Sequence, residues 1–119
     1  MMQLDLKLNV KPLSANKMYW RGKRRKTAEY TAYQNEIRDE IMGIEWPFGD
    51  NQLNVITAIS YSNRAADLDN AVKPLFDTLQ AVFEDFNDNK VYLHLNSKHI
   101  VPKGEENIEI SITAREEKR

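Results

Sequence analysis

The hydrophobic period of this 119-residue chain switches repeatedly between two and about 3.6, and that alternation restricts its folds more than any other feature. Leu4, Leu6, Leu8 and Val10 alternate with charged or polar neighbours, the pattern of a strand with one buried face. From Thr27 onward Tyr30, Tyr33, Ile37, Ile41 and Ile44 recur at spacings of three and four, with Glu29, Gln34, Glu36, Arg38 and Glu40 opposite. An amphipathic helix ending near Gly43 and Pro47 is expected there. Leu53, Val55, Thr57, Ile59 and Tyr61 return to period two. Ile56 and Ala58 add apolar groups on the other side, which predicts a strand more deeply buried than the first. After a turn at 62–66, Leu68, Val72, Leu75, Phe76, Leu79, Val82 and Phe83 form a second helical stripe, and Pro74, lacking an N–H, puts the start of regular helix close to itself. Val91, Leu93 and Leu95, then Ile108, Ile110 and Ile112, predict two more strands. The economical solution is one small α+β or α/β domain over 1–119, a mixed sheet with its two main helices largely on one face.

One core is all that a chain of this size can bury. Cysteine is absent, which excludes disulfides, thiolate metal sites and cysteine nucleophiles and makes a reducing cytoplasm the expected location. No stretch approaches the roughly 20 apolar residues of a membrane span, and the alternating N-terminus is unlike a signal peptide, so no membrane partner is expected.

Net charge is −1 overall, but it is unevenly spread. Residues 17–26 read K-M-Y-W-R-G-K-R-R-K, with Lys17, Arg21, Lys23, Arg24, Arg25 and Lys26 and no acid, so the remainder carries −7. Pro12 and Ser14 end the first strand pattern, and residues 11–26 read as a long exposed basic loop. Six like charges without an acid repel one another unless a polyanion accompanies them. Tyr19 and Trp20 can stack on exposed bases or pack on the first helix. The charged segment 115–119 is expected to fray.

Asp67-Leu68-Asp69-Asn70 lies between the second strand and the second helix. If 67–69 are extended, both carboxylates share one side while Leu68 enters the core. Two facing carboxylates repel and call for a shared cation, and a hard divalent ion with oxygen ligands fits them. Asp88, just before the third strand, can supply a further carboxylate if that strand lies beside the one ending near Tyr61. Lys73 is placed to offset a phosphate's charge. Each residue also has a plain structural use: Asp69 or Asn70 as a helix cap, Lys73 with Asp77 as an i, i+4 pair, and Asp88-Asn89 as turn chemistry. His94 and His99 belong to no motif, and His94 reads as a polar-face strand residue.

The run D-L-D-N-A-V-K-P-L-F-D-T-L followed by N-D-N-K-V resembles the RusA-type Holliday junction resolvases, whose signature is D-x-D-N-x-x-K, D-[AT]-L and D-D-x-Q-V. The match runs ungapped from Asp67 to Val91. A weaker likeness takes in Pro12, Ser14, Asn16 and Tyr19, and Lys98 with the final strand. Asn87 stands where the family has the first aspartate of its pair, and Lys90 where it has glutamine. The resemblance implies a RusA-like fold and a magnesium-dependent endonuclease, with manganese as a substitute and no small-molecule cofactor. It makes Asp67, Asp69 and Asp88 the metal-binding catalytic aspartates and Lys73 the essential lysine. It also implies a homodimer, which paired nicking of a two-fold symmetric four-way junction requires in any case. Asn16, Lys17, Tyr19, Arg21, Lys23, Arg24, Arg25 and Lys26 would then contact the branched DNA. Two other readings stay open at this stage: a non-catalytic nucleic-acid or interaction module of the same fold, and a nuclease preferring flaps or forks.

Overall fold

A computed structural model describes residues 2–21 and 23–115. The alternating segments form β1 (Gln3–Leu8), β2 (Leu53–Tyr61), β3 (Val91–Ile100) and β4 (Asn107–Ala114), and the helical stripes form α1 (Ala28–Ile41) and α2 (Val72–Val82). The four strands make one mixed sheet in the order β1-β4-β2-β3. β4 runs antiparallel to both β1 and β2, whereas β2 and β3 are parallel, with Val91 opposite Leu53 and Ile100 opposite Tyr61. A parallel neighbour needs a crossover, and α2 supplies it.

Strand pleating sorts the side chains. Leu6 and Leu8 of β1, Leu53, Val55, Thr57 and Ile59 of β2, and Ile108, Ile110 and Ile112 of β4 are buried on the face that meets the helices. α1 contributes Tyr30, Tyr33, Ile37 and Ile41, and α2 contributes Leu75, Phe76 and Leu79. Beyond α2 the core continues as rings, with Trp46 packed 5.2 Å from Phe83 and Phe76 lying 5.6 Å from Phe86, centroid to centroid. Edge-on and tilted contacts of this kind suit the charge distribution of aromatic faces.

Several expectations shift. α1 starts after Thr27, whose side chain accepts from the Tyr30 amide, and stops at Ile41 before Gly43 (φ 90°). Ile44 is therefore off the buried stripe and 37% exposed. β2 is central in the sheet and more deeply buried than β1, as expected, although Ile56 on its second face stands half exposed. Leu68 does not enter the core either: residues 68–70 bend, the extended geometry fails, and its side chain is 51% exposed. The basic segment is more anchored than a free loop, because Leu13 and Met18 are buried and Tyr19 and Lys26 pair as an antiparallel bridge. Arg115 is not frayed: its amide donates to the Gln52 carbonyl at 2.7 Å. The rest of that expected tail, 116–119, lies outside the described residues. No helix among the described residues is long and apolar enough to cross a membrane.

Candidate active site

The segment from Tyr61 to Asn70 is irregular, yet it is fastened along its length. Lys98 on β3 donates its ammonium to the carbonyls of Arg64 and Ala66, and the Asn96 side-chain amide donates to the Leu68 carbonyl at 2.6 Å. The Tyr61 hydroxyl donates to the Asp67 carbonyl at 3.3 Å, and the Ala15 amide donates to the Asn70 carbonyl at 2.8 Å. Asn96 and Lys98 lie two apart on the covered face of β3, so one strand secures three carbonyls of the loop. The loop then hands the chain to α2 through the Val72 amide, which bonds the Asp69 carbonyl. Pro74 falls in the first helical turn, where no intrahelical donor is needed.

Neither Asp69 nor Asn70 caps α2. The N-cap position is Ala71, with no side-chain cap bond. The Asp67 carboxylate accepts from the Asn70 side-chain amide at 3.3 Å, whereas the carboxylates of Asp69 and Asp88 take part in no hydrogen bond or ion pair among the described residues. The turn preceding β3 is held by other groups. Asn87 accepts from the Asn89 amide and caps the short 3-10 turn at 88–90, while Lys90 pairs with Asp50 and donates to the Asp85 carbonyl. The two departures from the family signature thus build the turn and leave the Asp88 carboxylate unused by it.

Asp69, Lys73, Asp77 and Asp88 line one cleft, closed below by Phe76, His94 and Asn96. The Lys73 ammonium bonds Asp77 at 3.1 Å, the surface pair that i, i+4 spacing allows. That hydrogen bond, then the charge of Asp77 and more weakly that of Asp88, hold its pKa above the ordinary lysine value. Asp67 lies on the other side of the loop and lines a different cleft, with Tyr61 and Asn70. The expectation that Asp67 and Asp69 project together is therefore not met, and the bend at Leu68 is the reason. Both remain within electrostatic range of the Tyr61 phenol, whose pKa is raised by burial first and then by the charges of Asp69 and Asp67.

Asp88 reaches the cleft by a route that differs from the expected one. β3 does lie beside β2, but in parallel, so Asp88 is at the end of β2 near Leu53, away from Tyr61. It meets Asp69 because the loop folds back along β3 as far as Asn96 and α2 starts there. Asp67, Asp69 and Asp88 are not gathered as a triad: among the described residues no group of three or more His, Asp or Glu side chains is close enough to hold an ion.

His94 has no motif to mark it in the sequence, yet it belongs in this cleft. It is half-buried on the covered face of β3, with its ring 4.9 Å from that of Phe76. Its Nε2 is 2.8 Å from the Thr57 hydroxyl, which also bonds Asn96 Oδ1 at 2.8 Å. The Asn96 amide nitrogen is committed to Leu68, so Oδ1 faces Thr57 and takes its single proton. Thr57 must then accept from His94, which puts the ring proton on Nε2 and leaves Nδ1 without a partner among the described residues. Burial holds the pKa of His94 below its ordinary value, in keeping with a neutral ring. A strand alternation cannot signal this, because the period is the same whichever face is covered.

The basic segment is a hairpin tip. The Trp20 amide bonds the Arg25 carbonyl and the Lys23 amide bonds the Trp20 carbonyl. Tyr19 packs edge-on against Tyr30 of α1 at 5.9 Å, the structural use foreseen for it, while Trp20 is 54% exposed. Lys26 bonds Gln34 and lies over the Tyr30 ring, and Lys17 faces Glu29 at 3.9 Å. Arg21, Lys23, Arg24 and Arg25 are exposed, as is Asn16. The chain matches no protein-family model and no curated protein sequence.

Proposed function

We propose that this protein is a magnesium-dependent endonuclease of RusA type that nicks branched DNA, four-way junctions foremost. The observation that carries the reading is the meeting of Asp69 and Asp88, nineteen residues apart, with Lys73 of α2 in one exposed cleft where neither carboxylate has a donor among the described residues. Carboxylates needed for capping or ion pairing would be engaged.

The donor set suits a hard divalent ion, which takes oxygen ligands and needs only one or two carboxylates beside water and phosphate. Asp69 and Asp88 would hold it, and Asp67, which lines the cleft on the other side of the loop, would not reach the same ion in this arrangement. When bound, such an ion lowers the pKa of water and neutralises charge on a phosphodiester. The residues themselves do the rest. Lys73, kept cationic by Asp77, offsets charge on the scissile phosphate or protonates the departing oxygen. Asn96 and Lys98 fix the backbone that bears the carboxylates, and the hairpin at 19–26 supplies phosphate contacts without sequence information.

Two-fold cleavage of a junction calls for two copies, and the open sheet face offers a surface for pairing. Ile56 and Leu95 are cross-strand neighbours, each about half exposed, with Leu93 beside them. An apolar patch of this kind can meet its own copy across a two-fold axis.

The test is a labelled four-way junction incubated with magnesium or manganese, alongside flap and plain duplex substrates. Wild type should nick the junction fastest, and Asp69→Asn should reduce the rate at least 100-fold while still binding. Tight junction binding without any nicking by wild type would leave only a binding module. Faster cleavage of flaps would move the substrate but keep the chemistry.

A further inference from the structure

Asp67 faces away from the carboxylates at 69 and 88, and the cleft it lines has features of its own. That cleft encloses about 530 Å³ between the 11–17 segment, one face of α1 and the 61–71 loop. Tyr33 lines it from α1, only 5% exposed, and its hydroxyl has no hydrogen-bond partner among the described residues. Native interiors rarely leave such a group unsatisfied, so a missing partner points to a ligand that brings one. Burial raises the phenol's pKa strongly, which keeps the proton in place for donation. Tyr61, Glu36 and Asn63 line the same cleft, and the Asn63 side-chain oxygen also accepts from the Ala65 amide at 2.9 Å. Lys11 and Lys17 line the same cleft from an exposed position.

We propose that this cleft receives one unstacked nucleotide, with its base against Tyr61, the edge of the base toward the Tyr33 hydroxyl, and its phosphate toward Lys11 and Lys17. Glu29, Glu36 and Asp67 also line the cleft, so a polyanion would be repelled from its interior. A neutral aromatic heterocycle with donors and acceptors on its edge is matched by a phenol donor, a carboxylate acceptor and an amide that offers both. The site deepens the nuclease reading and rests on it for its purpose. Asp67 and Asp69 are two residues apart, at most about 7 Å of backbone. A strand following the loop would therefore place neighbouring nucleotides in the two clefts. An unpaired base at a branch point has already lost part of its stacking, which makes its capture less costly.

Titration of isotopically labelled protein with each of the four 5′-mononucleotides, and with inorganic phosphate as control, tests the site by amide chemical shifts. At least one mononucleotide should give saturable shifts at Ser14, Ala32, Ser62 and Asn63, with affinity tenfold or more above phosphate. Tyr33→Phe should weaken it at least fivefold. Ala32→Phe, which fills the cleft from an exposed helix position, should abolish it while the remaining spectrum stays native. Shifts confined to 17–26, equal responses to phosphate, or binding untouched by Ala32→Phe would overturn the assignment. The junction-cleavage assay is independent, so either idea can fail while the other stands.

Discussion

A single proton decides the state of His94. Thr57 has one to give, Asn96 takes it, and the imidazole must donate from Nε2. Thr57→Val would leave that ring N–H without an acceptor in a half-buried place, at a cost of about 1–2 kcal/mol measured by urea unfolding. The same ring carries a pH signature. Unfolded, His94 takes up a proton around its ordinary 6.5; folded, burial holds its pKa lower. Below 6.5 the unfolded chain therefore binds more protons, and stability falls as pH drops through that window. The stability advantage of wild type over His94→Gln should accordingly shrink between about pH 7.5 and pH 5. A constant advantage would mean the ring titrates alike in both states. Lys98 offers a separate residue-level test, since it bonds two loop carbonyls without lining the Asp69 cleft. Lys98→Met should lower kcat for junction cleavage roughly 10-fold, the effect of removing a supporting hydrogen bond behind a metal site, and leave KM nearly unchanged. An equal loss in KM would indicate that the lysine touches DNA itself.

At the scale of elements, α2 does most to build the site, because it carries Lys73 and Asp77 outward while Leu75 and Leu79 are fully buried beneath. Leu75→Ala should destabilise the fold by about 3 kcal/mol in chemical denaturation, the transfer and cavity cost of a buried leucine. Both helices and all four strands were legible from hydrophobic period, and so was the α1 start at Thr27, since those signals are local. Strand direction was not. Val91, Leu93 and Leu95 alternate identically whether β3 runs with or against β2, yet that choice moves Asp88 from one end of the sheet to the other. The bend at Leu68 was hidden for a related reason: an apolar residue between two aspartates suggests alternation, and only tertiary bonds from Asn96 and Lys98 impose the turn. His94 escaped notice because a strand's period does not reveal which face a helix will cover. The motif singled out Asp69, Lys73 and Asp88, which do line one cleft, but gave no sign that Asp67 would line another.

For the whole molecule, charge and shape divide the labour. Net charge near zero gives little long-range attraction for a polyanion, so under the proposed function the hairpin would supply the local field. Arg24→Gln with Arg25→Gln should flatten the plot of log affinity against log salt by about 1.8, at about 0.9 for each phosphate no longer neutralised. An unchanged slope would place the DNA elsewhere. If the open sheet face pairs two copies as proposed, wild type should sediment as a dimer, and Ile56→Lys together with Leu95→Lys should sediment as monomers and lose paired nicking. β4 has a further role that its position dictates. It is the last of the four strands in sequence, but it lies between β1 and β2, bonded to both. During synthesis the amino-terminal portion has no sheet partner until residues 107–114 leave the ribosome. A chain truncated before residue 107 would therefore leave β1 without any sheet partner and one edge of β2 open.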